Sequence, residues 1–192
     1  MNKPEKLKKY QQKKFEYYKQ IDEINISDNE AYITIQINDI NEIISQFSIP
    51  GHEIIKEEFI NLISKKASYI PVDYPLVLEI YTKSLTSEEK ILIRKLFKIY
   101  YSLETINTEE ELKTIKRKSR FFLFVGIICA ILFILMVKLN VVTSLLEIIS
   151  FIASFSIWEF AELVIFEQDD LREKIIKNKH LAKIRIIYNK IN

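Results

Sequence analysis

The stretch FFLFVGIICAILFILMV, residues 121–137, decides the architecture of this chain because its seventeen residues carry no charge. As an α-helix it is about 25 Å long, slightly short of the roughly 30 Å hydrocarbon core of a bilayer. Arg120 and Lys138 stand at its two ends, where long cationic side chains reach lipid headgroups. A buried helix of a small soluble domain is rarely apolar all round, so the stretch predicts a membrane span.

A second apolar segment, Val141–Trp158, follows after a break at residues 138–140 and contains one charge, Glu147. Its eighteen residues match the length of the first segment. Two helices of equal length joined by three residues predict a transmembrane hairpin with spans 121–137 and 141–158. The alternative is an amphipathic second helix that lies on the membrane surface.

Basic residues predict the orientation of the hairpin. One Lys marks the turn, whereas basic clusters flank the outer ends of both segments: Lys116, Arg117, Lys118, Arg120, Arg172, Lys174 and Lys177. The positive-inside tendency places both termini in the cytosol of a multi-pass protein of the plasma membrane, the inner membrane in Gram-negative cells. The predicted membrane-interface residues are Arg120, Lys138 and Trp158, with Glu159 and Glu162 in the headgroup zone.

The fold class predicted is α+β, a small cytosolic mixed domain fused by continuous helices to a two-helix transmembrane hairpin. We expect residues 1–20 to form a basic amphipathic helix, 21–107 the α+β domain, 108–166 a helical linker and the hairpin, and 167–192 a cytosolic basic tail. Alternating apolar and polar residues predict strands at Ala31–Asn38 and Leu76–Thr82, with Ile21–Ile26 paired to the first and Lys183–Tyr188 as an extra strand. Helices are predicted from Pro50-Gly51 to about Lys66, from Thr86 to about Leu103, and from Thr108 into the first span.

Motifs of enzymes are missing from the sequence, which has no Walker, dinucleotide-binding, zinc-protease or nucleophile-elbow pattern. His52 and His180 are isolated, so we expect no metal site, and nothing predicts a cofactor or a catalytic residue. Cys129, the sole cysteine, lies inside the first apolar segment and forms no internal disulfide.

Glu147 is the most informative residue, because a carboxylate that faces lipid costs several kcal/mol. Three hydroxyl residues recur with it at spacings of four, three and four, so that Thr143, Glu147, Ser150 and Ser154 share one helix face. Two interpretations stay open. In the first, small polar residues let helices pack closely. In the second, the stripe lines a water-filled path through a homo-oligomer, with Glu147 near the outer mouth and Glu159 or Glu162 near the inner.

Lysines and tyrosines interleave in the first twenty residues, and the candidate ligand-binding residues among them are Lys9, Lys13, Lys14 and Tyr17. Charge and stacking there suit anionic lipid headgroups, a nucleotide or an oligonucleotide. The alternative is a solvated amphipathic helix.

The arrangement of soluble residues 21–104, a helix into Phe121–Val137 and a hairpin through Trp158 resembles a class of small bacterial membrane effectors. These are the effectors of nucleotide-signalling anti-phage systems of the Hailong and CBASS types. The resemblance implies a ligand-gated homo-oligomeric pore, such as a tetramer, that permeabilises the inner membrane during infection. Its ligand would be a nucleotide or oligonucleotide made by a partner nucleotidyltransferase. The alternative from the residues alone is a non-conducting membrane-anchored binding module or scaffold.

Overall fold

The computed structural model describes residues 16–17, 24–27, 29–139 and 142–190. The chain divides into two compact units. The sheet unit comprises the chain up to Glu104 together with the chain from Ile176, and the helical unit is Thr105–Ile175. The content of strands and long helices confirms the predicted α+β class.

The described strands are β1 (Ile24–Ser27), β2 (Glu30–Ile37), β3 (Leu76–Thr82) and β4 (Arg185–Lys190). The α-helices are α1 (Glu57–Ser68), α2 (Ser87–Lys138), α3 (Thr143–Glu162) and α4 (Gln168–Ala182). A single π-helical turn, Leu163–Glu167, joins α3 to α4, and a short 3₁₀ helix covers Ile40–Glu42.

The four strands that the structure describes lie side by side in the order β1-β2-β3-β4. Strand β1 runs antiparallel to β2, whereas β2, β3 and β4 are parallel, so that Leu78 lies between Ile33 and Ile186. Parallel neighbours need a crossover connection. The crossover from β3 to β4 is the whole path through α2, α3 and α4, which makes the helical unit an insertion in a β-α-β unit.

One face of the sheet carries the core. Alternate residues of β2 are buried because successive side chains of a strand point to opposite faces. Apolar residues of α1 and of the first four turns of α2 cover this face, and the cluster includes Phe59, Ile63, Ile93, Phe97 and Tyr101. Removal of this apolar surface from water supplies most of the stability of the sheet unit.

The predicted strands are confirmed, and residues 21–23 of the first one lie outside the described residues. Strand β3 has the predicted bounds, β2 and β4 differ from theirs by one or two residues, and β1 pairs with β2 through a turn in which Asn29 has a φ of 64°. Asparagine is one of the few residues that enter the left-handed region at low cost.

Two helix predictions are wrong. Helix α1 begins at Glu57 rather than at Pro50, because the preceding residues fold back through isolated bridges Ile44–Ile55 and Ile49–His52. Helix α2 is a single helix of 52 residues, whereas the sequence predicted a break between 103 and 108. Its predicted start is confirmed by a capping box, in which the Glu89 carboxylate accepts the backbone N–H of Thr86 at 2.7 Å.

Two buried tyrosines of the sheet unit give a test of this core. Burial raises the pKa of Tyr101 to about 12 and that of Tyr188 to about 12, and their hydroxyls meet Ser64 Oγ at 2.7 Å and the carbonyl of Lys90 at 3.0 Å. Since both pKa values exceed the unfolded value of about 10, the stability they contribute is complete below that pH.

We therefore expect the free energy of unfolding to fall as the pH rises from about 10 to about 12. A titration of tyrosinate absorbance in the folded protein should show two late-ionising groups, and Tyr101→Phe should remove one of them. If all tyrosines of the folded protein titrated near the unfolded value, the proposed burial would be wrong.

Candidate functional site: the helical hairpin

Within the described ranges, two helical stretches are long and apolar enough to cross a membrane, Ser87–Lys138 and Thr143–Ala182. Of the eighteen consecutive residues that are most apolar in each stretch, only 6% and 17% are buried. Large side chains such as Phe124 and Ile131 are therefore exposed. A core helix of a soluble protein would be mostly buried. The exposed apolar surface is what distinguishes this hairpin from such a helix.

The two arms of the helical unit pack along a heptad seam. Buried and half-buried positions recur at spacings of three and four, which keeps one line of side chains on the facing side of each helix. On α2 this line consists of Thr105, Thr108, Leu112, Ile115, Ser119, Phe122, Gly126, Cys129, Phe133 and Met136. On α3 and the π-helical turn it consists of Leu146, Ile149, Ala153, Ser156, Phe160 and Leu163.

Gly126 marks a close approach of the arms. A Cβ atom on this glycine would lie 3.0 Å from Ile157 Cγ1 and 3.5 Å from Ser156 Cβ. Small residues let helix backbones approach each other, and this contact type drives helix association inside bilayers. The small-xxx-small pair that Gly126 forms with Ala130 in the sequence therefore lies at the helix contact through its glycine.

A buried polar pair lies within the seam, just before the apolar stretch of α2 begins. The Gln168 amide donates to Ser119 Oγ at 3.3 Å, and the Ser119 hydroxyl donates to the carbonyl of Lys116 at 3.1 Å. Ser119 and Gln168 are 3% and 6% exposed. Because an unpaired buried amide costs about 1–3 kcal/mol, this hydrogen bond specifies which residues face each other.

The π-helical turn keeps the seam in register. Its buried residue Leu163 is followed by the next buried residue, Gln168, after five positions rather than four. A π turn accommodates one extra residue per helix, which returns the following positions to the face they would otherwise leave. Leu171 and Ile175 then continue the seam at spacings of three and four.

Deleting Val164 should leave the hairpin folded, because it converts the π turn into a regular α turn and restores the four-residue spacing. Deleting Ile152 as the matched control should rotate the rest of α3 by about 100° and move Ser156 and Leu163 off the seam. We expect thermal unfolding in detergent near the wild-type temperature for the first variant and a loss above about 3 kcal/mol for the second. Equal losses would contradict the assigned role of the π turn.

Gly126→Leu should force the two arms apart and cost about 1–3 kcal/mol, since overpacking strains a close contact. Gly126→Ala should cost less, because only the side chain of Ile157 must move. Val137→Leu, at a position that is 48% exposed, controls for the added side-chain volume. Unfolding of the three variants in detergent gives the order, and a wild-type melting temperature for Gly126→Leu would refute the close contact.

The structure places the predicted polar stripe beside the seam and leaves it uncovered. Thr143, Glu147, Ser150 and Ser154 share one exposed face of α3, about 100° from the seam. Glu147 makes no hydrogen bond or ion pair with the part of the chain that the structure describes. The other two predicted pore residues diverge: Glu162 is exposed about 60° from Glu147, and half-buried Glu159 lies about 120° away on the other flank of the seam.

The contact at Gly126 sets the level of each residue along the hairpin. Glu147 lies four residues, or about 6 Å, from the start of α3. Measured along the hairpin from the Gly126 contact, it lies about one helical turn nearer that contact than Lys138 does. Trp158, which is 69% exposed, lies near the level of Gly126 and so about 9 Å from Arg120 toward the hairpin turn. Arg120 and Lys138 are exposed at the two ends of the apolar stretch of α2.

The remaining predicted site residues belong to the first twenty residues of the chain. Lys9, Lys13 and Lys14 lie outside the described residues, whereas Tyr17 is described and is exposed. Among the described residues, no three His, Cys, Asp or Glu side chains converge on a position for a metal ion. The sequence analysis missed the Ser119–Gln168 pair, although the place of Ser119 just before the apolar stretch was a signal for it.

Comparison with models of protein families, with curated proteins and with solved structures finds no match for this chain.

Proposed function

We propose that this chain is an integral membrane protein whose hairpins assemble into a homo-oligomeric, ligand-gated, cation-selective pore. The observation that carries the proposal is the uncovered stripe on α3. Helix α2 already occupies the seam, so Glu147 and the three hydroxyl residues remain available to further copies of the hairpin.

A carboxylate cannot face acyl chains at low cost, so in a bilayer this face needs water or protein against it. A single pair of spans encloses no aqueous path, whereas several copies that turn their stripes inward do. Rings of acidic side chains then favour cations, with Glu147 at one end of the path and Glu162 nearer the other. The basic cluster before Arg120 supports cytosolic termini.

Ligand control belongs to the same proposal. Helix α2 runs from the sheet unit into its apolar stretch without a break, so a ligand that binds at its first turns would act on the same helix that forms the first span. The resemblance to anti-phage effectors supports a nucleotide or oligonucleotide from a partner nucleotidyltransferase, and depolarisation or permeabilisation of the inner membrane as the outcome.

Purified protein in liposomes under a salt gradient tests the pore. Wild type should pass cations, and Glu147→Gln should lower the cation-to-anion permeability ratio several-fold by removing the ring of charges. Leu145→Ile, at an exposed apolar position of α3 about 160° around the helix from Glu147, is the control and should leave the ratio unchanged. If the wild type passed no ions with any nucleotide tried, or if Glu147→Gln left the cation-to-anion permeability ratio unchanged, conduction through this stripe would be rejected.

A non-conducting membrane anchor for a partner-binding sheet unit is the second candidate. The level of Glu147, about one turn from Lys138, favours it, because a carboxylate so near a helix end reaches headgroups by snorkelling. Replacing Ser150 and Ser154 by Leu would then leave function intact, whereas surface changes in the sheet unit would abolish it.

A further inference from the structure

A basic cleft lies within the sheet unit, between α2 and the beginning of β4. Its volume is about 490 Å³. Three cationic side chains line it, Arg94 and Lys98 from one face of α2 and Arg185 from β4. The remaining lining is apolar and comes from Phe97, Ala182, Ile184, Ile186 and Ile187.

Arg94 is held in place by two contacts that leave its charge uncompensated. Its guanidinium donates to the carbonyl of Ile186 at 3.0 Å, and its central carbon lies 5.5 Å from the ring centroid of Tyr188. Neither partner carries a negative charge. A guanidinium that is fixed in this way presents its remaining donors without further loss of side-chain entropy.

The balance of charge in the cleft is positive. Arg185 pairs with Glu30, which Tyr32 also contacts through its hydroxyl at 3.2 Å. Lys98 is exposed and makes no hydrogen bond or ion pair with the described residues. Two of the three cations that line the cleft are thus left without an acidic partner.

We propose that this cleft binds a small molecule that bears phosphate groups. Arginine forks match phosphate oxygens in geometry, and charge-assisted bonds of this kind are about twice as strong as neutral ones. The volume lies inside the range of about 300–1,000 Å³ typical of small-molecule sites. The apolar wall accommodates an uncharged moiety attached to the phosphates.

The cleft is lined by residues from both segments that connect the sheet unit to the inserted hairpin. The inference that a ligand there controls the hairpin rests on the proposed function. Lys98 belongs to the helix by which the chain leaves the sheet unit, and Arg185 to the strand by which it returns. One anion that contacts both draws the departing and returning segments together. The ligand would thereby act on α2 at the root of the helix that runs into the first span.

Calorimetric titration of the full chain in neutral detergent with inorganic pyrophosphate, and separately with ATP, tests the site at low salt. Both probes should bind, and added salt should weaken them. Lys98→Gln should lower the affinity about tenfold, the equivalent of one charge-assisted bond. Tighter binding of ATP than of pyrophosphate would assign the apolar wall to a nucleoside, and equal affinity would confine recognition to the phosphates.

Two control variants remove the same charge elsewhere in the sheet unit. Lys95→Gln is exposed on α2 outside the cleft, and Lys183→Gln lies in a separate cleft of about 460 Å³ that also contains Asp73. Both should bind as the wild type does. No binding of either probe, or equal weakening by all three substitutions, would overturn the proposed site. Because calorimetry needs no ion flux, binding without conduction would refute only the pore.

Discussion

The parallel pairing of β3 with β4 is the constraint on which the rest of the structure depends. Hydrogen bonds between these strands require the chain to leave β3 at Thr82 and return at Arg185 beside the same strand. An ordinary crossover does this with one helix. Here the connection includes the whole helical unit, so that the termini of the hairpin are tied to adjacent strands.

Inside the hairpin, the buried side chains of the seam contact one another. Small and apolar side chains fill most of it, and the buried amide of Gln168 has Ser119 as its partner. The extra residue in the π turn would break the heptad if the helix were regular. Keeping the seam thus requires a locally irregular backbone, which indicates that the alignment of side chains outweighs regular hydrogen bonding there.

Sequence patterns predicted the strands well because the period-two alternation of apolar residues is a local signal, as in β2. The apolar residues of that alternation are also the ones buried in the core. The predicted break near Thr108 failed for a tertiary reason. Thr108 followed by three glutamates resembles a helix start. Thr105 and Thr108 are nevertheless buried in the continuous helix α2, where the heptad spacing and not local propensity decides. The π turn could not be predicted from the sequence, because one additional residue in an apolar stretch does not change its hydrophobic pattern. The basic cleft could not be predicted either, because Lys98 and Arg185 are 87 positions apart in the sequence.

Polar residues of α3 illustrate why the candidate site could not be identified from the sequence alone. Ser154 and Ser156 are chemically identical and two positions apart, and periodicity alone assigns neither to a partner. Ser156 is buried at the Gly126 contact, whereas Ser154 is exposed with Glu147. The helix thus separates polar groups that the hairpin has covered from polar groups that it has not. In water the uncovered carboxylate of Glu147 costs nothing, but inside a bilayer, where we propose that this helix lies, it carries a cost. Assembly, water or a headgroup must relieve it, and each leaves a different dependence on the charge at position 147.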